Sequence, residues 1–467
     1  MINRQTAATL LVAGTMFMEN LDATVISTAL PAIAEDFHTL PEYLSVGVAI
    51  YLVALTVFIP MSGWLADRYG ARRIFSWAIG IFCGASILCA LSSNLLTFSI
   101  ARLLQGTGGA MMVPVGRMVI LRHTPKQNMV RAIAILTWPA LIAPIVGPVV
   151  GGWITVHWGW SWIFLLNVPL GLLALIASLN LLSNHYIPMS HFDFLGFLLS
   201  GLGFGFFMVG IEAMSRNDTP RSGAFSFVIS GIALLALTSR HFKHCKEPLF
   251  NLKPLTIPTF RVSIVGGSLF RIAIASIPFL LPLMFEIGFG FSAVKAGALL
   301  LWLFAGNLMI KPATTAIMNR VGFKRLLIGN GILVALGFAI MSLFSPLTPQ
   351  WFIMLVLFVS GMNRSIQFTA INTISFADIP AAMMRDATTL QSTVLQMNIG
   401  TGIALGALSL ALSALFFPVI GGKLQIVNFQ CALAMMAIIA LLGVSDSLFL
   451  SSNAGLSVLE KYHSVHL

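Results

Sequence analysis

Charge is what this sequence lacks. Asp, Glu, Lys and Arg make up 9% of its 467 residues, against about 25% in a soluble globular chain. With 58% hydrophobic residues and a mean hydropathy of +0.93, the composition excludes an ordinary soluble domain and indicates a polytopic membrane protein. Cysteine is scarce too. Cys83, Cys89 and Cys431 lie in apolar runs and Cys245 in a basic loop, so the four read as free thiols rather than a disulfide framework. Acid is scarcer than base, 15 residues against 26. That excess does not indicate nucleic acid, because the basic residues sit in short polar gaps between apolar runs. No Ser-His-Asp, zinc-helix or phosphate-loop arrangement is present, so neither an enzyme nor a cofactor is expected. His241 and His244 beside Cys245 approach a metal spacing, but they lie in a basic loop and no metal site is expected.

What is there is a series of long apolar runs. A membrane-spanning helix needs about 20 mostly apolar residues, and fourteen runs qualify: 7–30, 44–65, 74–92, 96–120, 131–154, 161–183, 194–214, 223–240, 259–283, 294–317, 326–345, 350–373, 387–416 and 425–449. The first contains Glu19 and Asp22 and exceeds the roughly 7–15 uncharged residues of a signal-peptide core, so it reads as a retained helix. Arg and Lys alternate between the two sides. With the N-terminus inside, the outer side holds only Arg216, Arg221, Lys295 and Lys423 outside the spans. This bias predicts a multi-pass protein with both termini in the cytoplasm. Trp153, Trp158, Trp160 and Trp162 cluster at one outer turn, where an interfacial belt is expected.

The chain also repeats. Ala66-Asp-Arg-Tyr-Gly-Ala-Arg-Arg73 follows the second run and Met318-Asn-Arg-Val-Gly-Phe-Lys-Arg325 the tenth. Gly106 and Gly361 recur at nearly the same offset as Arg68 and Arg320. The expected architecture is all-α: a six-helix bundle over 1–186, two inserted helices and a cytoplasmic loop over 187–250, and a second six-helix bundle over 251–467. Repeated bundles around a central cavity are a recurrent transporter plan.

Charges inside the runs are the functional candidates, since an ionised group at mid-membrane costs about 2.5–3.5 kcal/mol on insertion scales. Asp22 lies roughly 12 Å from the outer end of its helix at 1.5 Å per residue, and Arg102 in the fourth run lies at a similar depth. They read either as a structural ion pair or as a coupling pair. Glu19 lies one turn toward the cytoplasm on the same helix face. It makes either a two-carboxylate proton site with Asp22 or a separate contact with a polar neighbour. Gly63-Trp-Leu-Ala-Asp-Arg-Tyr-Gly-Ala-Arg-Arg73 closes the second run. Its Gly63, Asp67, Arg68, Gly70, Arg72 and Arg73 read as an inner gate or as a topogenic basic loop. Gly147, Pro148, Gly151 and Gly152 crowd the fifth run with Pro139 and Pro144, predicting a kinked, closely packed helix. Arg271, Lys311 and Arg364 in the second half tilt a cavity toward anionic or zwitterionic substrates.

GWLADRYGARR resembles the loop motif between spans 2 and 3 of the major facilitator superfamily. Arg102-Leu-Leu-Gln-Gly-Thr-Gly-Gly-Ala110 resembles its fourth-span motif, and Gly147-Pro-Val-Val-Gly-Gly152 its fifth-span antiporter motif. Leu21-Asp-Ala-Thr-Val-Ile-Ser-Thr-Ala-Leu-Pro31 resembles the first-span motif of the 14-span drug:proton antiporters of the EmrB/QacA type. Within that type the chain resembles the MdtD-like exporters of Gram-negative bacteria. The resemblance implies alternating access, with Asp22 and Arg102 proton-linked, Asp67 and its neighbouring arginines as inner gate, and Gly147–Gly152 as the antiporter hinge. Two departures stand out: Met318-Asn319-Arg320 lacks the aspartate of the first loop, and Glu19 replaces the glutamine usual in that type.

The leading expectation is proton-coupled efflux of multiple drugs or small amphipathic molecules by a monomer in the bacterial inner membrane. A dedicated exporter of an anionic metabolite or siderophore is the alternative. A non-transporting membrane sensor or scaffold is the alternative of another class.

Overall fold

A computed structural model describes residues 4–39, 41–183, 191–215, 221–245, 248–249, 251–417 and 425–458. Arg216, Lys246, Lys423 and Lys461 lie outside the described residues. The chain forms α1 (Arg4–Asp36), α2 (Pro41–Tyr69), α3 (Ala71–Ala90), α4 (Leu95–His123), α5 (Met129–Trp158) and α6 (Ser161–Leu181). Next come α7 (Phe194–Ser215) and α8 (Arg221–His244). The last group is α9 (Pro258–Gly288), α10 (Ala293–Met309 with Lys311–Val321), α11 (Phe323–Met341), α12 (Gln350–Ala377), α13 (Met384–Phe416) and α14 (Ile426–Leu448).

Each of the fourteen apolar runs falls on one of these helices. Ten are long and apolar enough to cross a membrane, or eleven when the two pieces of α10, bent by 53°, count as one span. Helices α1, α4 and α5 stand outside that set, yet their 33, 29 and 30 residues exceed the length needed to span. Breaks occur where the chemistry removes backbone bonds. Helix α9 has Pro282 inside it and ends in a π-turn at Met284–Gly288, and α10 bends where Lys311 and Pro312 open its second piece. Helix α5, in contrast, runs unbroken through its proline- and glycine-rich stretch.

The sequence repeat recurs in three dimensions. Helix α1 packs on α5, α2 on α4, and α3 on α4 and α6; correspondingly α9 packs on α13, α10 on α12, and α11 on α12 and α14. The matched loops share a backbone detail. Gly70 and Gly322, which precede α3 and α11, have φ of 92° and 78°, a region that a Cβ disfavours. Gly106 and Gly361 also play matched parts. A Cβ on Gly106 would lie 2.5 Å from the Tyr51 carbonyl oxygen on α2, and one on Gly361 would overlap the Leu303 carbonyl oxygen on α10. Only a bare backbone allows these helices to approach so closely.

The inserted α7 and α8 pack on each other, and α7 also packs on α2 and α13. Asp193 caps α7, accepting from Gly196 N at 2.8 Å, and its same oxygen lies 2.9 Å from His241 Nε2 on α8. Cys245 lies near this pair, whose carboxylate already serves the cap and also accepts from Leu249 N at 3.3 Å. At the opposite end of the bundle, Trp153, Trp158 and Trp162 are exposed as an interfacial belt requires. Trp160 instead turns inward, and its Nε1 donates to Asp36 Oδ2 at 2.5 Å.

Candidate functional site

Asp22 on α1 and Arg102 on α4 meet directly, with Arg102 Nη1 donating to Asp22 Oδ2 at 2.7 Å. Arg102 has no exposed surface and Asp22 has 5%. A polar ring surrounds them, though Arg102 Nη2 has no hydrogen-bond partner among the described residues. Gln105, one turn along α4, accepts from Arg102 Nη1 at 2.6 Å and donates to Asp22 Oδ1 at 2.9 Å. Asn167 on α6 donates to the same Oδ1 at 2.7 Å, and Ser86 on α3 receives Gln105 Nε2 at 2.9 Å. The guanidinium carbon lies 4.1 Å from the centre of the Tyr51 ring on α2, a cation–π contact in a dry setting. Five helices therefore converge on one ion pair, and each carboxylate oxygen of Asp22 has a donor. In low dielectric such satisfaction is what lets a buried pair persist.

Glu19 is buried one turn along α1 and differs from Asp22 in having, among the described residues, no donor on Oε2. It packs over the bare Cα of Gly109, where a Cβ would lie 3.5 Å from the Glu19 carboxyl carbon and 3.5 Å from Tyr51 Oη. The Tyr51 hydroxyl is also without a partner. Arg117, two turns farther along α4, lies within electrostatic reach of Glu19, but its Nη1 donates to Gln391 Oε1 on α13 at 3.0 Å. The two carboxylates are thus neighbours in unlike settings.

The loop motif is spread wider than its sequence suggests. Asp67, 3% exposed, reaches past the arginines beside it to other helices. Its oxygens face Arg122 of α4 at 3.6 Å and Arg385 of α13 at 3.3 Å. Arg385 also binds Asp386 at 2.7 Å. Arg68 lies over the rings of Trp64 and Tyr69, Arg72 donates to the Leu179 carbonyl oxygen at 3.3 Å, and Arg73 is exposed. Gly63 faces α13 so closely that a Cβ would lie 2.8 Å from Thr389 Oγ1. Together with Arg117–Gln391, these contacts close the basic end of the bundle. Behind them, at Arg117, Asn372 and Gln391, about 10 Å³ of open space remains.

The fifth-run residues divide. Gly147 and Gly151 press against Thr24, Val25 and Thr28 of α1, whereas a Cβ on Gly152 would meet nothing within 4 Å. Pro148 lies in the same helix, and its side chain is outside the described residues. The three cations of the second half do not converge with Asp22. Arg271 donates to Ser263 O at 2.9 Å and Asn372 Oδ1 at 3.0 Å, and Lys311 Nζ to Thr369 Oγ1 at 2.6 Å. Half-buried Arg364 leaves its Nη1 without a hydrogen-bond partner among the described residues.

Sequence reasoning missed Ser86, Asn167, Tyr51, Gln391 and the cross-bundle role of Arg385. Gln105 stood within the quoted fourth-span motif at i+3 from Arg102, and Asn167 is a lone amide in an apolar run; both are signals that a search for polar residues inside spans would find.

The family model described as Major Facilitator Superfamily matches residues 12–402. The "Putative multidrug resistance protein MdtD" of Pectobacterium carotovorum is 33% identical over 432 residues, 92% of this chain and 93% of that protein. The "Probable transport protein HsrA" of Haemophilus influenzae is 35% identical over 402 residues, 86% of this chain and 87% of that protein. Among solved structures, the human organic anion transporter MFSD10 (TETRAN) superposes with a TM-score of 0.68 at 12% identity, covering 95% of this chain and 99% of that one. The proton:xylose symporter XylE gives 0.65 at 14% identity, covering 99% and 98%. These last two show the fold alone. The chain belongs to the major facilitator superfamily and is a membrane transporter rather than an enzyme.

Proposed function

We propose that the protein exports small amphipathic molecules across the bacterial inner membrane, as a monomer with both termini in the cytoplasm, driven by inward proton flow. The observation that carries this reading is the buried Asp22–Arg102 pair with Glu19 one turn away. A proton taken up by Asp22 removes the charge that Arg102 holds. The guanidinium is then left with neutral partners: the Gln105 oxygen, the Gly47 carbonyl and the Tyr51 and Phe164 rings. The packing of α1 on α4 loosens, and release of the proton restores it. Alternation requires a gate at each end. The Asp67–Arg385 and Arg117–Gln391 contacts join the 1–186 and 251–467 bundles at the basic end, which the positive-inside bias assigns to the cytoplasm. Gly147, Pro148, Gly151 and Gly152 of α5 form the antiporter hinge in this reading, which the contact of Gly147 and Gly151 with Thr24, Val25 and Thr28 of α1 supports. The multidrug name of the MdtD relative supports the same direction of transport.

In proteoliposomes, Asp22→Asn is expected to abolish pH-gradient-driven movement of ethidium. Movement at the wild-type rate overturns the proposal.

A second reading, export of an anionic metabolite or siderophore, is favoured by one observation. Among the described residues Arg117, Arg271 and Lys311 are buried and none pairs with a carboxylate at ion-pair distance. Competition of ethidium movement by benzoate supports that reading, and its absence counts against it.

A further inference from the structure

The inserted pair α7–α8 has no role in the mechanism above, yet α7 lies across the line where α2 meets α13. Beneath it is a cavity of about 380 Å³, within the roughly 300–1,000 Å³ typical of small-molecule sites. Val46, Ile50 and Val53 of α2 form one wall, Met208 of α7 another, and Gln396 and Gly400 of α13 a third. Leu103 of α4, Ile399 and Ile403 at its rim are 42%, 41% and 38% exposed, so it opens sideways onto the bilayer.

The lining selects its occupant. Among the described residues no lining side chain is charged, so an ion entering against them would lose its hydration without gaining a partner. Among the described residues no Lys or Arg lines it to anchor a lipid phosphate. One polar group is uncommitted: Thr56 Oγ1 donates to the Leu52 carbonyl oxygen, while the amide of Gln396 makes no hydrogen bond among the described residues. An acyl chain has no use for that amide; a neutral molecule with one carbonyl or hydroxyl does. The cavity is also adjacent to the ion pair. Val46, Ile50 and Val53 share two turns of α2 with Gly47, whose carbonyl accepts from Arg102 Nε, and with Tyr51, whose ring lies against Arg102. Leu103 directly follows Arg102.

We propose that the α2–α7–α13 cavity is a lateral binding site for a neutral lipophilic small molecule drawn from the bilayer, held by apolar contact and one hydrogen bond to Gln396. The inserted helices make this site by roofing the seam between the two bundles. A molecule bound there presses on the turns of α2 that hold Arg102, which links occupancy to the proton site. The purpose of the site rests on the export reading; its existence does not.

Benzophenone, a neutral ketone that labels on irradiation, tests this with the full chain in nanodiscs and no gradient. Labelling of residues 46–56 and 396–403 is expected to be saturable. Gln396→Leu, which keeps the apolar walls, should weaken occupancy about fivefold, the effect of one hydrogen bond. Ala49→Trp, which fills the cavity, should reduce labelling to the level of exposed faces such as Leu172, Leu173 and Ile176. Asp22→Asn should still label saturably but with a shifted half-saturation, because coupling between two sites is reciprocal; saturable labelling with no shift overturns the link to the proton site and leaves the binding site standing. Labelling that does not saturate, or that is no greater at these segments than on α6, overturns the proposal. So does occupancy by a phosphatidylethanolamine with a diazirine in its acyl chain that benzophenone does not displace. Both results are read on the wild-type protein, independent of how any variant folds.

Discussion

Arg102 has no exposed surface and reaches Asp22 at 2.7 Å, so the two side chains hold each other's charge where water cannot. Removing one partner leaves the other unpaired, which costs about 3–5 kcal/mol, whereas replacing both by neutral groups is far cheaper. Arg102→Leu is therefore expected to lower the melting temperature in detergent more than the Arg102→Leu, Asp22→Asn double variant does. Equal losses would show that the ring of Gln105, Asn167 and Ser86 carries the stability instead. Sequence alone placed Asp22 and Arg102 at one depth and Glu19 on the same face. It did not separate the roles of the two carboxylates, because the distinction lies in donors from α4 and α6: each oxygen of Asp22 has at least one, while Glu19 Oε2 has none among the described residues.

At the scale of elements, the glycines decide which helix faces meet. Gly151 lies where a Cβ would be 2.6 Å from Thr28 Oγ1 and 2.9 Å from the Val25 carbonyl oxygen, while Gly152 faces open space. Overpacking a close helix contact typically costs about 1–3 kcal/mol. Gly151→Leu should therefore abolish gradient-driven transport, and Gly152→Ala should leave it near the wild-type rate. Equal effects would show that the stretch acts through backbone flexibility rather than through its fit to α1. The fourteen runs and the helices that carry them were legible from hydropathy, as was the repeat that relates α2 to α10 and α4 to α12. The unbroken course of α5 was not. Neighbouring helices decide whether a proline-containing stretch bends, and composition does not report them.

Across the whole molecule, the basic end is held shut by few polar contacts between distant parts of the chain. Asp67 supplies two of them, to Arg122 and Arg385, and α13 lies against Gly63 beside them. Asp67→Asn removes the charge from both at once, shifting the population toward a state open at that end. Thr389, 1% exposed, reports the change: maleimide should label Thr389→Cys severalfold faster in the Asp67→Asn background. Unchanged labelling would assign closure to Arg117–Gln391 and apolar packing instead. The loop motif was visible as a cluster of charges, but Arg122 and Arg385, which Asp67 faces, lie on α4 and α13. The asymmetry of the repeat here was legible in the sequence, since the matching loop has Asn319 where the first has Asp67.

By itself the sequence determined that this chain lives in a membrane, which segments are helical, which end is basic, that its two ends of chain belong to related six-helix repeats, and that an acid and a base lie at one depth. Each of these follows from hydropathy, charge distribution or spacing along the chain, quantities that survive without knowledge of any neighbour. Tertiary structure alone decided the ring around Asp22, the unpartnered oxygen of Glu19, the cross-bundle partners of Asp67, the separation of Arg271 and Lys311 from the ion pair, and the cavity under α7. The physical reason is that a helix in lipid is apolar on nearly every side. Its hydropathy fixes how deep each residue lies and says little about which way it faces, and that direction is set by where small residues let backbones approach.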